Sequence, residues 1–329
     1  MGKKKICIVI SFLLIISLVS FSGCSKKDPN KKKIGIFQIA EHAALDGARD
    51  GFIQGLKEGG FEDGVNIIID KKNAQGSPMT ADTIAKKFVS DKSDLIFAIA
   101  TPCAQSAYNA TKTIPVVITA VTDPVDAGIV KSIDKPHTNV TGTSDRFPVE
   151  EQIKLLKLIM PNAKKVGYMY NTGEKNSIIQ LKELKEICAK YDLKIVATGI
   201  TNVNEAAQSL NSIIDDMDVL YTPTDNLIAA SMPLISEKCF LKNKPIFGAE
   251  RAHVEAGALI TKGIDYKLLG KESAKIAIQI LNGTNPSDIP VAMQNKFEIV
   301  INEDAAKKLN ITIAHSIIRD AIKIKGGVK

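Results

Sequence analysis

The amino-acid sequence predicts an α/β protein of two similar lobes, each a parallel sheet covered by helices. Three observations lead there. From Lys33 onward, short apolar runs alternate with segments that repeat apolar residues at helical spacing. Strands separated by helices of about 10–15 residues imply βαβ units. The alternation comes in two successive series, divided by the Gly- and Pro-punctuated stretch 142–148, G-T-S-D-R-F-P. Finally, 329 residues exceed what one hydrophobic core usually fills, about 250–300 residues.

The chain opens with a leader. Met1, Gly2 and three lysines precede an uncharged run of sixteen residues, 6–21, and then Ser22, Gly23 and Cys24. A spanning helix needs about 20 apolar residues, so the run fits a cleaved signal peptide, 1–23. Its small residues before Cys24 resemble the lipobox of bacterial lipoproteins, whose cysteine takes lipid and becomes the new N-terminus. Phe21 departs from the aliphatic residue usual in that box. Ile6 stands where N-myristoylation needs Ser or Thr. The polar stretch 24–33, S-K-K-D-P-N-K-K-K after the cysteine, reads as a flexible tether. The mature chain is therefore expected outside the cytoplasm, held to the membrane by lipid.

In the first series, strands are expected at 34–37, 65–70, 95–100 and 115–119, and helices at 43–59, 79–90 and 104–111. The second has strands at 166–170, 194–199, 219–221, 245–247 and 258–261, with helices at 150–160, 177–191, 203–214 and 228–243. A long helix at 265–282 and a closing strand at 297–302 remain. Housing them requires the chain to cross between lobes more than once: 34–143 plus about 262–284 in the first lobe, 144–261 plus about 285–329 in the second.

Composition excludes several functions. The formal charge is +7, and loss of Lys3, Lys4 and Lys5 lowers it by three to +4. Lysines outnumber arginines 39 to 4, and no basic run sits among aromatics outside the tether. Nucleic-acid binders concentrate basic charge and use Arg for bidentate contacts, so that class is excluded. No GxSxG, HExxH or Walker loop occurs, which leaves no catalytic constellation and no expected cofactor. His42, His137, His253 and His315 are scattered; without a second ligand at helical spacing they predict no metal, and His42 and His253 read as surface residues. Cys103, Cys188 and Cys239 remain after the leader, in no CxxC or zinc spacing, and read as buried free thiols.

The segments after the strands are polar and turn-rich: 38–42 (Q-I-A-E-H), 101–105 (T-P-C-A-Q), 121–124 (V-T-D-P), 171–177 (N-T-G-E-K-N-S), 222–226 (T-P-T-D-N) and 250–253 (E-R-A-H). Ligands of parallel α/β sheets bind beyond the carboxyl ends of the strands. Each loop alone is explained by helix capping; six of them, three per lobe, fit a cleft lined from both sides. A small zwitterion suits such a cleft. Its carboxylate would lie at a helix N-terminus near Pro102 or Asp225, and its ammonium against Asp123, Asp225 or Glu174. Asn171, Asn176, Ser177 and Asn226 complete the shell.

At these residues the chain resembles a known family. A-T-P-C-A-Q, V-I-T-A-V-T-D-P, N-V-T-G-T-S-D, Y-N-T-G-E-K-N-S, Y-T-P-T-D-N and G-I-D-Y-K-L-L-G look like the substrate-binding lipoproteins of ABC transporters, of the tryptophan/tyrosine/phenylalanine-binding type. The resemblance covers roughly 33–312. It implies the type I periplasmic-binding-protein fold, two Rossmann-like lobes joined by hinge strands, and partners in a membrane permease and its ATPase. By motif match the ligand's backbone should lie around Thr101, Gln105, Asp123, Asn171, Glu174, Asn176, Ser177, Asp225 and Asn226, with Thr224 beside them. Its side chain should point toward Gln38, His42 and Glu250. Cys103 stands where the family more often has Ala. Within that set the residues themselves favour Asp225 as ammonium acceptor, then Asp123. The expected protein is a monomeric, non-enzymatic receptor for an aromatic amino acid; the alternative is a surface adhesin or sensor on the same fold, with a host-cell partner.

Overall fold

A computed structural model describes residues 31–327. The leader, Cys24 and the first part of the tether lie outside the described residues. Six strands form one sheet: β1 (Lys32–Gln38), β2 (Ile67–Asn73), β3 (Leu95–Ile99), β4 (Val116–Thr119), β5 (Val140–Ser144) and the short β11 (Ala292–Met293). Seven form a second: β6 (Lys165–Asn171), β7 (Lys194–Ile200), β8 (Val219–Thr222), β9 (Ile246–Gly248), β10 (Ile260–Gly263), β12 (Glu298–Asn302) and β13 (Ile322–Ile324). The spatial orders are β11-β5-β4-β3-β1-β2 and β13-β12-β10-β9-β8-β6-β7. All neighbours pair in parallel except β10 and β12. The runs β2-β1-β3-β4-β5 and β7-β6-β8-β9-β10 repeat one topology, so each sheet has a switch point, at β1/β3 and at β6/β8.

The burial pattern explains the strands. All of Leu95–Ile99, Val116–Thr119 and Val219–Thr222 are buried, as helices on both faces require. β2, at a sheet edge, is Ile-Ile-Ile followed by Asp-Lys-Lys-Asn, and its charged half is largely exposed, which blunts the edge. The first core stacks Phe52 on Phe97 with centroids 3.6 Å apart. A second cluster packs Met169, Leu210, Leu220, Ile228 and Met232 together. Cys103, Cys188 and Cys239 are free and buried.

The helices of the first lobe are α1 (Ala43–Glu58), α2 (Pro78–Ser90) and α3 (Thr101–Ala110). Those of the second begin with α4 (Val149–Ile159), α5 (Lys175–Lys190), α6 (Ala206–Ile213), α7 (Asn226–Leu241) and α8 (Arg251–Glu255). The chain then returns through Ile264 and Asp265 to α9 (Tyr266–Leu281), which packs along α1. That contact is close because Gly51 and Gly270 lack side chains: a Cβ on either would strike the Lys267 or Ala48 carbonyl. Residues 285–293, expected in the second lobe, pair with the first. Val291 N–H donates to the Ile133 carbonyl at 2.9 Å, Thr141 Oγ1 to that of Ile289 at 2.7 Å, and β11 lies beside β5. Burial of Pro286, Ile289 and Val291 holds the segment there. β12 then re-enters the second sheet, followed by α10 (Glu303–Lys308), α11 (His315–Ile318) and β13. Three crossings therefore join the lobes, at 145–148, 264–265 and 294–297.

Candidate functional site

Both switch points open on one chamber, where open α/β sheets take their ligands. As the lobes stand it holds only about 10 Å³ of free volume, about one water's worth, lined by His42, Leu45, Ala120 and Tyr266 from one side and Asn176, Thr224, Asp225, Asn226 and Glu250 from the other, with Asp145 on the first crossing. Two contacts bridge the lobes over it. His42 Nε2 lies 3.2 Å from Asn226 Oδ1, and the hydroxyls of Thr122 and Thr224 are 3.3 Å apart. Outside the His42–Asn226 contact lies a wider vestibule, about 960 Å³ including space open to the surface, whose walls include Glu41, Gln75, Glu174, Val203 and Leu227.

On the second-lobe side, the expected residues gather as a mutually bonded wall. Asp225 caps α7: its Oδ1 accepts from the N–H groups of Leu227 and Ile228, both at 2.9 Å. Its Oδ2 accepts from Asn171 N–H and Ser177 Oγ, both at 2.6 Å. Four protein donors fill the four lone-pair sites of a carboxylate, so Asp225, expected as the first ammonium acceptor, is already engaged as a structural cap. Glu174, 5% exposed, accepts from Asn226 Nδ2 at 2.6 Å and Asn176 Nδ2 at 3.2 Å, and more distantly from Asn171 and Leu227. Burial, then the neighbouring Asp225, push its carboxyl up to about 8. Asn176 also donates to the Thr224 carbonyl at 2.7 Å, while its Oδ1 stays unpartnered. Thr224 N–H is held by Gln180 Oε1 at 3.1 Å.

Across the cleft the expectations divide. Asp123 accepts from the N–H groups of Val125 and Asp126, and pairs with Arg146 at 2.7 Å. It closes a turn, and the second candidate for the ammonium is also engaged. Gln38 bonds the Ala40 carbonyl at 2.8 Å, Asp46 at 2.9 Å and Arg49 at 3.0 Å; it shapes the loop carrying His42 and does not line the chamber. Gln105 donates to the Ala127 carbonyl at 3.1 Å. Thr101 opens α3 with its hydroxyl buried and unpartnered. The residue before it, Ala100, has φ 79° and ψ 156°, a region otherwise almost confined to glycine.

Sequence reasoning missed Asp145 and Tyr266. Tyr266 Oη donates to Asp145 Oδ2 at 2.7 Å, and Asp145 Oδ1 is buried without a partner. Burial raises the Asp145 carboxyl. Glu250, 3% exposed, has an unpartnered Oε1, and burial pushes it up to about 8. His253 and His42, expected at the surface, are enclosed. His253 Nε2 stands 3.3 Å from Glu250 Oε1 without hydrogen-bond geometry, and burial brings its pKa down to about 3. Burial lowers His42 as well. Neither imidazole is charged at neutral pH, so neither balances the carboxyls. Among the described residues no group of His, Cys, Asp and Glu is placed to hold a metal. The signal for Asp145 was a carboxylate in the Gly- and Pro-punctuated stretch 142–148, which forms the first of the three crossings.

A chamber rich in acceptors, with no Lys or Arg on its wall, suits a small donor-bearing guest. The chain is 45% identical over 323 residues, 94% of its length and 93% of the relative's, to a tyrosine-binding protein of Clostridioides difficile. Among solved structures, an ABC domain in complex with L-Trp from Streptococcus pneumonia superposes with TM-score 0.86 at 36% identity, covering 89% of this chain and 99% of that one. A ligand-free, open substrate-binding protein with adhesive properties from Clostridium difficile gives 0.69 at 49% identity, covering 91% and 100%. Solute-binding proteins at 19% and 12% identity share the type I periplasmic-binding fold. The family model for ABC transporter substrate binding proteins matches residues 33–325, and the chain belongs to that family.

Proposed function

We propose that the protein is the lipid-anchored, extracytoplasmic receptor of an ABC importer, binding an aromatic amino acid between its lobes and closing on it. One observation carries the reading. The chain superposes better on the L-Trp complex, TM-score 0.86, than on the open ligand-free protein, 0.69, although the latter is nearer in sequence, 49% against 36%. Together with the His42–Asn226 and Thr122–Thr224 contacts, this is what a chain drawn toward the ligand-bound arrangement would give. The 45% identity to a tyrosine-binding protein supports the ligand class. Cys24 supplies the anchor, and a permease with its ATPase the transport partners. Calorimetry on protein lacking residues 1–24 should show binding of Tyr, Phe or Trp at micromolar or lower Kd; absence of heat with all three rejects the ligand.

A second reading is favoured by the adhesive properties of the 49% identical protein: surface display could also serve attachment. Binding of the soluble protein to host cells, with and without tyrosine, tests it.

A further inference from the structure

Outside the chamber wall, a second seam runs between the lobes beside the first crossing. Arg146 lies on that crossing, 145–148. Its Nη1 donates to Asp123 Oδ2 at 2.7 Å, and its backbone N–H donates to Ser144 Oγ at 3.1 Å. The Ser144 hydroxyl donates in turn to the Thr122 carbonyl at 3.0 Å. These contacts fix Arg146 to the first lobe.

Helix α5 of the second lobe borders the same seam. Gln180 Nε2 lies 3.4 Å from Thr224 Oγ1, and that hydroxyl is 3.3 Å from Oγ1 of Thr122, the neighbour of Asp123. Residues three apart share a helix face, which sets Glu183 one turn along from Gln180 on this side. The Glu183 carboxylate is partly buried and makes no hydrogen bond or ion pair among the described residues. Burial raises it; of the charges that act on it, Arg146 lowers it, and Asp123 and Glu186 raise it. Arg146 has donors to spare: a guanidinium carries five N–H groups, only Nη1 is engaged by a side chain, and the side chain is 48% exposed. Neither Asp123, Arg146 nor Glu183 lines the chamber.

We propose that Arg146 is an interlobe latch: anchored on Asp123, its guanidinium bridges to Glu183 when the lobes are together, and so favours the closed arrangement without touching the guest. Without the guanidinium, closure would bring two carboxylates of like charge toward each other. With it, the same approach becomes attractive. A bridge made in one arrangement only shifts the equilibrium by its own free energy.

The latch rests on the reading that the chain closes on an aromatic amino acid, and a double-mutant cycle separates the two. The tightest binder among L-Tyr, L-Phe and L-Trp is titrated into native protein, Glu183→Gln, Arg146→Gln and the double variant, with thermal melts confirming that each is folded. At low salt Glu183→Gln should bind about two- to fivefold more weakly, the range of a partly exposed ion pair, with the loss in the dissociation rate. Arg146→Gln should bind more weakly still, because it leaves Asp123 and Glu183 facing each other. Adding Glu183→Gln to Arg146→Gln should then restore affinity in part, a reversal of sign that marks coupling between the two side chains. At about 1 M salt, where the Debye length is about 3 Å, the Glu183→Gln loss should shrink. Glu183→Gln that leaves low-salt affinity unchanged, or weakens it equally in both backgrounds, overturns the latch while the ligand reading stands. Native protein that binds none of the three overturns the ligand reading, and with it the closure that the latch serves.

Discussion

At the scale of single residues, the chamber's carboxyls tie binding to protons. Glu250, with a pKa of about 8, is largely protonated at pH 7, and an arriving ammonium favours its ionised form. The groups facing it are Asp145, Asp225, Tyr266, Glu255 and the neutral His253, none of which supplies a compensating positive charge. Binding at pH 7 should therefore release up to about one proton, measured by calorimetry in two buffers of different ionisation heat; the release should vanish near pH 9 and shrink in Glu250→Gln. Stability follows the same linkage. Glu174 and Glu250 are raised from 4.5 to about 8 on folding, so the native state holds more protons between those values and loses stability as pH rises through them. His253 moves oppositely, from 6.5 to about 3, gaining stability as pH rises to 6.5. Above pH 6.5 the raised carboxyls set the trend, and the melting temperature should fall from pH 6.5 to 8.5. Residue type and loop position revealed most of this wall but not its roles. Asp225 and Asp145 look alike in a sequence; what separates them is that backbone N–H groups of α7 reach one and a single tyrosine reaches the other.

At the scale of elements, the βαβ rhythm was legible because buried strands are written in Ile, Val, Leu and Phe. β5 escaped notice: V-T-G-T-S is fully buried, but Thr141 donates to the Ile289 carbonyl, and Thr143 joins a hydroxyl chain, to Thr119 at 2.9 Å and to Ser273 at 2.8 Å. Only the assembled helix α9 supplies the last partner. Two elements carry measurable strain or crowding. Ala100, at φ 79°, joins β3 to α3, and its N–H is fixed to the Thr119 carbonyl at 3.0 Å. Strain of this kind costs about 1–3 kcal/mol, so Ala100→Gly should raise unfolding free energy by about 1 kcal/mol after glycine's own entropy loss. Gly270→Ala should do the reverse. Its methyl group would meet the α1 backbone at Ala48, and overpacking of this sort costs about 1–3 kcal/mol. Urea denaturation of both variants reads the two signs.

At the scale of the whole molecule, two lobes of one topology meet through three crossings and two direct polar contacts over the chamber. Such contacts are individually weak, about 0.5–1.5 kcal/mol each, so they cannot alone decide how the lobes stand. A guest that touches His42 and Tyr266 from the first lobe and Glu250 with the Asn176–Asn226 wall from the second adds interactions present only when the lobes are together. The equilibrium shifts by that difference in affinity and by nothing else. Solution scattering of the soluble protein should therefore show a smaller radius of gyration with saturating tyrosine than without it. At 100 times its Kd the same ligand should add about 2.7 kcal/mol to the unfolding free energy. The two measurements constrain each other. A stability gain with no contraction would mean that the guest enters lobes already together, and contraction is the outcome on which closure as the transport signal depends.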